Sequence, residues 1–437
     1  MRVVLTSWGS HGDVYPYLGI ALELKARGHE AILAVPEYFR ALVEGEGIEY
    51  RPVGPHFDPS DRELLTRILD PWRGAEAIVK ESILPVLART YEELEAATVG
   101  AELLVTHPIT FAATMLAQKC ALPWVSTVLA PGVFFSAFDP MVPPPAPWLA
   151  PLIRSAPAWG RAFAWLARRA TLPWYGPVFA MRAALGLPRG GHPMFDEAYS
   201  PWLTLCLFSP VIGAAQTDWP AHVEHSGFVF YNGCAPMPAA LREFLDAGEA
   251  PIVFTLGSSA VWAAGDFYRE SAVAAQRLDR RAVLLVGDEP ANRPLRLPVG
   301  VIAIESAPHR ELFPRAAAIV HPGGIGTTAQ ALRAGKPTLI VPHANDQPDN
   351  AARAQRLGVA RILSPRRYRA DRVAFELRAL LRDPGYLERA ETVAVPLRSA
   401  DGAKAACDAL ERAGLLRTAV TPAQAGAQLF GSPPARG

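Results

Sequence analysis

The stretch from residue 316 to residue 342 constrains the fold more than any other part of the sequence. Residues 316–320 are apolar, and three glycines follow them closely: Gly323, Gly324 and Gly326. A further segment runs to Leu332 and stops at Gly335, two residues before Pro337. An apolar run broken by glycines predicts a buried strand, and a glycine followed by a proline predicts the end of a helix. This stretch therefore predicts a strand, a tight turn and a helix.

The predicted turn has the chemistry of an anion site. The first turn of a helix offers unpaired N–H groups and the positive end of the helix dipole, and glycine lets a phosphate approach the backbone. Side chains of His321, Thr327 and Thr328 would complete the cradle. Ser258, after another predicted strand, would add a hydroxyl. Glycines chosen only for turn geometry would give the same pattern, so both interpretations stay open on this stretch alone.

Length and composition limit the class of protein. A chain of 437 residues is too long for one ordinary hydrophobic core, so we expect two domains. Half of the residues are hydrophobic and 19% are charged, as in globular proteins with large cores. The formal net charge of +1 gives no basis for a nucleic-acid partner, because phosphate backbones select strongly basic surfaces.

Strand and helix signals alternate in two parts of the chain, from Arg2 to Leu129 and again from Pro251 onwards. This alternation predicts an α/β fold with two parallel, doubly wound sheets. The predicted organisation is a first Rossmann-like domain (1–215, with an apolar insertion at 132–200), a passage (216–250), a second Rossmann-like domain (251–400), a final helix (401–415) and a disordered tail (416–437).

The insertion at 132–200 is rich in aromatic residues, and no acidic residue lies between Ile153 and Asp196. One interpretation is a helical layer packed on the sheet, which is the commoner fate of aromatic residues at helical spacing. The other is the wall of an apolar cleft, whose arginine-rich face leaves contact with the inner membrane surface open. We favour the cleft, with Trp165, Trp174 and Phe179 as contacts to a bound molecule.

No segment predicts secretion or a membrane span. The first strand runs directly into Gly9 and is too short for the core of a signal peptide. No uninterrupted apolar run reaches about 18 residues. The cysteines, Cys120, Cys206, Cys234 and Cys407, lack metal-ligand spacing. We therefore expect a cytoplasmic protein with free thiols and no bound metal.

Three segments closely resemble the donor-binding signature of a known family: His321–Thr328, Gly335-Lys-Pro337 and Asp346-Gln-Pro-Asp-Asn350. The signature is similar to that of nucleotide-sugar glycosyltransferases with two Rossmann-like domains, the GT-B fold, which include sterol, glycopeptide-antibiotic and plant-metabolite glycosyltransferases. Many members have two histidines where this chain has His321 and Pro322. Further segments resemble the rhamnosyltransferases of rhamnolipid synthesis: Val253–Ser258, Gly265–Tyr268 and Asp218–Pro220.

The resemblance implies an inverting transferase that moves a hexose or deoxyhexose from a UDP- or dTDP-sugar to a hydroxyl of a lipophilic acceptor, such as rhamnosyl transfer to a hydroxy-fatty acid. It implies that Asp346 and Gln347 bind sugar hydroxyls and that His309 lies in a loop that holds the base of the nucleotide. It further implies a monomer whose final helix crosses back onto the first domain. No cofactor is expected, because the helix dipole and a histidine neutralise the leaving diphosphate.

The loop after the first strand is the expected place for the catalytic base. Ligands bind beyond the carboxyl ends of parallel strands, and the base must face the phosphate cradle from the other domain. The family pattern Gly-Asp-x-x-Pro places the base at Asp13. His11 has an ordinary pKa that suits the same role. Asp13 also suits the N-cap of a helix beginning at Val14, which would make it a poorer base. We favour Asp13 over His11.

Two other functions stay open. A nucleotide-sugar epimerase has the same two facing domains but no need of an acceptor cleft. The other is a non-catalytic binder of nucleotide sugars or lipids, which is disfavoured because Asp13 and the donor signature are both present. An NAD-dependent enzyme is disfavoured because Gly9-Ser-His-Gly12 lacks the Gly-x-Gly-x-x-Gly order.

Overall fold

The chain forms two parallel sheets. The computed structural model describes residues 1–55, 61–231, 233 and 235–417. Within these ranges the first sheet contains seven strands: β1 (Arg2–Thr6), β2 (Glu30–Val35), β3 (Glu49–Pro52), β4 (Leu103–Thr106), β5 (Trp124–Val128), β6 (Thr204–Cys206) and β7 (Val223–His225). The second contains six: β8 (Ile252–Thr255), β9 (Ala282–Leu285), β10 (Val301–Ile304), β11 (Ala318–His321), β12 (Thr338–Ile340) and β13 (Ala360–Ile362).

Helices cover both faces of each sheet. In the described ranges they are α1 (His11–Ala26), α2 (Arg40–Gly45), α3 (Arg62–Ile68), α4 (Gly74–Ala77), α5 (Leu87–Ala97), α6 (Phe111–Cys120), α7 (Ala150–Arg154), α8 (Pro157–Thr171), α9 (Gly176–Ala184), α10 (Ala239–Asp246), α11 (Phe267–Arg277), α12 (His309–Leu312), α13 (Ile325–Ala334), α14 (Gln347–Arg356), α15 (Ala370–Arg382), α16 (Pro384–Ser399) and α17 (Gly402–Arg412). Because both faces are covered, consecutive residues of central strands are buried, as Val3, Val4 and Leu5 are in β1.

The strand orders place one crevice in each sheet. The first sheet has the order β3-β2-β1-β4-β5-β6-β7 and the second has β10-β9-β8-β11-β12-β13. The direction of the strand order reverses between β1 and β4 and again between β8 and β11, and ligands bind beyond the carboxyl ends of strands at such points. The two sheets confirm the predicted pair of Rossmann-like domains. The loops after β1 and β11 lie at these two crevices, where a ligand is expected to bind.

The last helix, α17, lies on the first domain. Arg27, which ends α1, forms ion pairs with Asp408 at 2.7 Å and with Glu411 at 2.9 Å. Ala406, Cys407 and Leu410 of α17 are buried in the same core as Leu24 of α1. The last described helix therefore packs on the domain in which the chain begins.

A second connection between the domains is a buried ionic network around Arg353 of α14. The side chain of Arg353 is 1% exposed, and its Nε donates to Asp349 at 2.7 Å. Its other nitrogens donate to Asp139 and to the carbonyl of Ile212, both in the first domain. Asp349 also accepts from the backbone N–H of Val142 at 3.0 Å. Helix α14 is thus held against the first domain by an ionic network in which Arg353 and Asp349 are buried and Asp139 is partly exposed.

The structure differs from the prediction at several segments. The passage 216–250 contributes the edge strand β7 and helix α10, and the short strand β13 had no clear signal in the sequence. The sequence predicts one long helical stretch from Ala75 to Ala97, and the structure interrupts it near Pro85, because proline cannot donate to the preceding turn. Helix α1 begins at His11 rather than at Val14. Within the predicted tail, residues 418–437 lie outside the described residues.

The insertion at 132–200 is helical, with α7, α8 and α9. Trp174 and Phe179 pack against the core cluster that includes Phe111 and Tyr175, whereas Trp165 of α8 is 61% exposed. The structure therefore divides the three predicted contact residues between core packing and the outer surface. Among the described residues, no helix is long and apolar enough to cross a membrane.

Candidate active site

The N-termini of α1 and α13 face each other across a cleft between the two domains. Residues from both helices line this cleft, which has a volume of about 1050 Å³. The two backbones come close, because a Cβ atom added to Gly326 of α13 would lie 3.6 Å from the Cα atom of Gly12 in α1. Two helix N-termini that point into one cavity favour negatively charged groups there.

Asp13 is held at the start of α1 by a capping box. Its Oδ2 accepts hydrogen bonds from the backbone N–H of Ser10 at 2.7 Å and from the Ser10 hydroxyl at 3.0 Å. Ser10 is the N-cap, and its hydroxyl accepts from the N–H of Gly12 at 3.3 Å. The φ of Gly9 is 134°, and a Cβ there would lie 2.4 Å from Oδ2 of Asp13. Glycine is therefore required for the carboxylate to reach this position.

The environment of Asp13 makes its carboxylate a stronger base. Burial raises the pKa of Asp13 above its ordinary value, and the hydrogen bonds from Ser10 oppose this only in part. Among the described residues none donates a hydrogen bond to the second oxygen, Oδ1. One oxygen thus fixes the orientation of the carboxylate, while the other stays available in the cleft. The capping role and the base role are compatible in this geometry.

His11 lies in the same cleft among aromatic rings. Its ring centroid is 5.1 Å from that of Tyr15, 5.5 Å from that of Tyr38 and 5.3 Å from that of Phe39, all in edge-to-face arrangements. Burial lowers the pKa of His11, and the charge of Asp288 opposes this in part. The imidazole is therefore neutral near pH 7 and remains the alternative base.

The glycine turn after β11 presents an unpaired hydrogen-bond donor. His321 is fully buried, and its Nδ1 accepts from the N–H of Gly323 at 3.1 Å. Burial lowers the pKa of His321 to about 3, so the ring is neutral and its hydrogen resides on Nε2. Nε2 has no acceptor among the described residues. A buried donor without a partner costs about 1–3 kcal/mol, which an incoming acceptor atom would recover.

The residues of the predicted phosphate cradle divide between the cleft wall and the layer behind it. Gly324, Gly326 and Thr327 line the cleft, as does Ser258 after β8. Behind the wall, Gly323 and His321 support the turn. Thr328 is buried, and its hydroxyl donates to the carbonyl of Gly324 at 3.0 Å. Adjacent residues of a helix point in different directions, so Thr327 faces the cleft and Thr328 does not. The hydroxyl of Thr328 therefore binds the helix backbone, and the prediction that it contacts the phosphate is not supported.

Asp346 and Gln347 both line the cleft at the start of α14. Asp346 accepts from the side chain of Asn350 at 2.7 Å, and Gln347 accepts from the N–H of His343 at 2.8 Å. Asp346 makes no capping hydrogen bond. Burial, together with the charge of Asp13, raises the pKa of Asp346 to about 7. The carboxylates of Asp13 and Asp346 therefore repel each other across the cleft.

His309 also lines the cleft, at the start of α12. Its ring stacks on that of Phe313, with the centroids 4.2 Å apart. Burial lowers its pKa to about 4, so it is neutral at physiological pH. In the described ranges no group of His, Cys, Asp and Glu side chains could hold a metal ion.

The apolar part of the cleft comes from segments that sequence reasoning missed. Trp165, Trp174 and Phe179 do not line it. Instead the wall is built by α1, α2, α3 and the segment after β7, with these apolar and aromatic members: Trp8, Tyr15, Tyr38, Leu42, Leu65, Ile68, Leu69, Phe230 and Tyr231. Helix α3 reaches the second domain, where the side chain of Asn345 donates to the carbonyl of Ile68 at 3.2 Å.

The cleft therefore combines a glycine turn suited to anions on one wall with a carboxylate on the other, between two Rossmann-like domains. The chain belongs to the nucleotide-sugar-dependent glycosyltransferases of the GT-B fold, and it is an enzyme of this class. Residues 3–119 match the glycosyltransferase family 28 N-terminal domain. Residues 271–402 match the erythromycin biosynthesis protein CIII-like C-terminal domain.

Individual relatives extend over nearly the whole chain. O-mycaminosyltylonolide 6-deoxyallosyltransferase of Streptomyces fradiae is 34% identical over 429 residues, which cover 96% of this chain and 99% of that protein. Vancomycin aglycone glucosyltransferase of Amycolatopsis orientalis is 29% identical over 377 residues, covering 82% of this chain and 85% of that protein. The solved structure of spinosyn forosaminyltransferase SpnP matches with a TM-score of 0.69 at 22% identity, covering 94% of this chain and 98% of that one.

Proposed function

We propose that this enzyme is an inverting glycosyltransferase that moves a hexose or deoxyhexose from a UDP- or dTDP-sugar to a hydroxyl of a lipophilic, polyketide-type acceptor. The observation that carries the proposal is the facing pair of helix N-termini, with Asp13 on one side and the glycine turn after β11 on the other. This arrangement provides a base and an anion site within one cavity.

The diphosphate of the donor binds at the N-terminus of α13. Its donors are the backbone N–H groups at Gly324 and Gly326 and the hydroxyls of Thr327 and Ser258, which line the cleft. The unpaired Nε2–H of His321 is buried behind them and becomes a further donor if the turn adjusts to the bound phosphate. Asp346 and Gln347 lie where the sugar hydroxyls would follow. Departure of the diphosphate requires no bound metal ion in this proposal, because the partial positive charge at the N-terminus of α13 stabilises the leaving group.

The chemical step is a single displacement. Asp13 takes the proton of the acceptor hydroxyl, the acceptor oxygen forms a bond to the anomeric carbon, and the bond from that carbon to the diphosphate oxygen breaks. The nucleoside diphosphate leaves with the electron pair of that bond. Attack from the side opposite the leaving group inverts the anomeric configuration, and a base on one domain facing a phosphate site on the other has the required geometry.

The apolar wall of the cleft favours a large acceptor with little charge on most of its surface. Its lining by Leu65, Ile68 and Leu69, together with several aromatic rings, suits a polyketide better than a free sugar. The relative from Streptomyces fradiae is named for a glycosylated tylonolide, which supports the same class of acceptor. A hydroxy-fatty acid and rhamnose as the transferred sugar remain predictions, as does contact of the insertion with a membrane.

The proposal is tested first by thermal unfolding with a panel of UDP- and dTDP-sugars, because a ligand at about 100 times its Kd adds about 2.7 kcal/mol of stability. Transfer to a macrolide panel is then followed by mass spectrometry. His321→Ala should weaken binding of the nucleoside diphosphate at least about tenfold in calorimetry. His225→Ala is the matched control, because His225 also has a buried, unpaired Nε2 but lies outside the cleft. Equal affinity for both variants and the wild type would contradict the donor site.

A further inference from the structure

The cleft is acidic although the protein as a whole is nearly neutral. The full chain has 43 Lys and Arg residues against 42 Asp and Glu residues. The described residues that line the cleft include no Lys or Arg, but they include these carboxylates: Asp13, Glu46, Asp288, Glu305 and Asp346. Away from the helix N-termini that form the anion site, acidic side chains without basic neighbours in the lining produce a locally negative potential, which attracts cations. A bound nucleoside diphosphate would make this potential more negative.

One of these carboxylates, Glu46, lies beside a pair of tyrosine rings at the end of the cleft nearest α2. The hydroxyl of Tyr231 donates to Glu46 at 2.7 Å, and the ring centroid of Tyr231 is 5.0 Å from that of Tyr15. The ring of His11 contacts both Tyr15 and Tyr38, so Tyr38 belongs to the same group of rings. Asp288, in the segment after β9 of the second domain, lines the same cleft.

Aromatic faces and carboxylates together recognise one kind of group. Tyrosine rings attract an alkylammonium ion through their negative faces, and they also pack against its methyl or methylene groups. A carboxylate adds a direct charge–charge attraction, which is strengthened where water is partly excluded. A neutral hydroxyl gains neither interaction, and a carboxylate or sulfate on the bound molecule would be repelled. The same end of the cleft is continuous with the apolar wall at Leu42 and Leu65.

We propose that the acceptor of this enzyme carries a protonated, alkyl-substituted amine, which binds at Glu46 against the rings of Tyr15, Tyr38 and Tyr231, with Asp288 as a second carboxylate in the lining of the cleft. This inference rests on the proposed glycosyl transfer and specifies its acceptor: an apolar body with a basic amino group, such as an aglycone that already bears an amino sugar. The reacting hydroxyl lies at Asp13, and the amine binds toward α2. The enzyme would then act after a step that attaches or forms the amino group.

The test compares a macrolide that bears a dimethylamino sugar with its N-oxide, which has nearly the same shape but no net charge. Binding of each is measured by calorimetry with the nucleoside diphosphate present. Wild-type protein should bind the amine at least about tenfold more tightly than the N-oxide, and Glu46→Gln with Asp288→Asn should reduce this preference to about twofold or less. Glutamine at position 46 still accepts the hydrogen bond from Tyr231, so the wall is preserved.

Glu44→Gln is the matched control, because Glu44 lies two residues before Glu46, at the end of α2, is exposed and does not line the cleft. Its preference for the amine should equal that of the wild type. Equal affinity of the wild type for the two compounds, no detectable binding of the amine, or an unchanged preference in the double variant would each overturn the proposal. Binding requires no turnover, so a protein that keeps the preference but forms no glycoside from any donor would contradict the proposed function and leave the amine site standing.

Discussion

Replacement of Asp13 by asparagine should strongly lower the activity, while the stability of the fold stays constant or increases. The structure indicates that the amide oxygen can accept the hydrogen bond that Oδ2 now accepts from the N–H of Ser10 at 2.7 Å, so the capping box is largely preserved. The amide cannot take a proton from the acceptor. Loss of a general base lowers rates by about 10²–10⁴-fold. We therefore expect kcat to fall by this factor, which corresponds to about 3–5 kcal/mol of transition-state stabilisation.

The effect on folding follows from the direction of the pKa shift. Because burial raises the pKa of Asp13, ionisation of the carboxyl group destabilises the folded state as the pH rises through that pKa. The neutral amide removes this cost at pH 7, while it loses a favourable charge–dipole interaction of about 0.3–1 kcal/mol. The two terms oppose each other. The free energy of unfolding should therefore change by less than about 1 kcal/mol, and Tm should stay constant or rise.

The assay combines steady-state transfer kinetics, thermal unfolding and calorimetry with the nucleoside diphosphate, whose affinity should not change. In the wild type, kcat/KM should fall as the pH decreases through the raised pKa of Asp13, since the protonated carboxyl group is not a base. Ser10→Ala is the control: it should cost about 1 kcal/mol of stability and retain most of the rate. A variant Asp13→Asn that keeps more than about a tenth of the wild-type rate would refute the assignment and transfer the role to His11.

Three further predictions concern other parts of the molecule. Arg353→Ala should destabilise the protein by up to about 3–5 kcal/mol in denaturant unfolding, because the buried carboxylate of Asp349 loses its nearer cation at 2.7 Å and keeps only Arg154 at 3.3 Å; a loss below about 1 kcal/mol would contradict this. Gly323→Ala should lower Tm and abolish binding of the nucleoside diphosphate, since the φ of 92° is strained for alanine and its Cβ would lie 2.9 Å from Ile340; unchanged binding in calorimetry would exclude this constraint. Trp165→Ala should leave the acceptor KM within about twofold of the wild-type value, because the ring is 61% exposed and outside the cleft; a marked increase in KM would restore the predicted contact.

Local sequence patterns were sufficient for the donor side of the cleft. The strand, the glycine turn and the helix from residue 316 onwards are one continuous unit, so the residues that shape the anion site are neighbours along the chain. The positive φ of Gly323 and the helix end at Gly335 follow from requirements that few residues other than glycine meet. Apolar runs alternating with helical spacing likewise predicted the two parallel sheets. Short strands such as β7 and β13 contain three residues each, too few to show a period.

Only the tertiary structure decided which residues form the apolar wall of the cleft. An aromatic residue at helical spacing has the same pattern whether it faces the core or a cavity, and here Trp174 and Phe179 pack inward while Trp165 faces outward. The actual wall joins residues near positions 15, 38, 65 and 231, which are far apart in sequence. The acidic side chains of the cleft come from both domains, for example Glu46 and Asp288. Their combined charge therefore depends on how the two domains pack against each other. Periodicity specifies which face of an element is apolar, whereas the packing of elements determines what that face contacts.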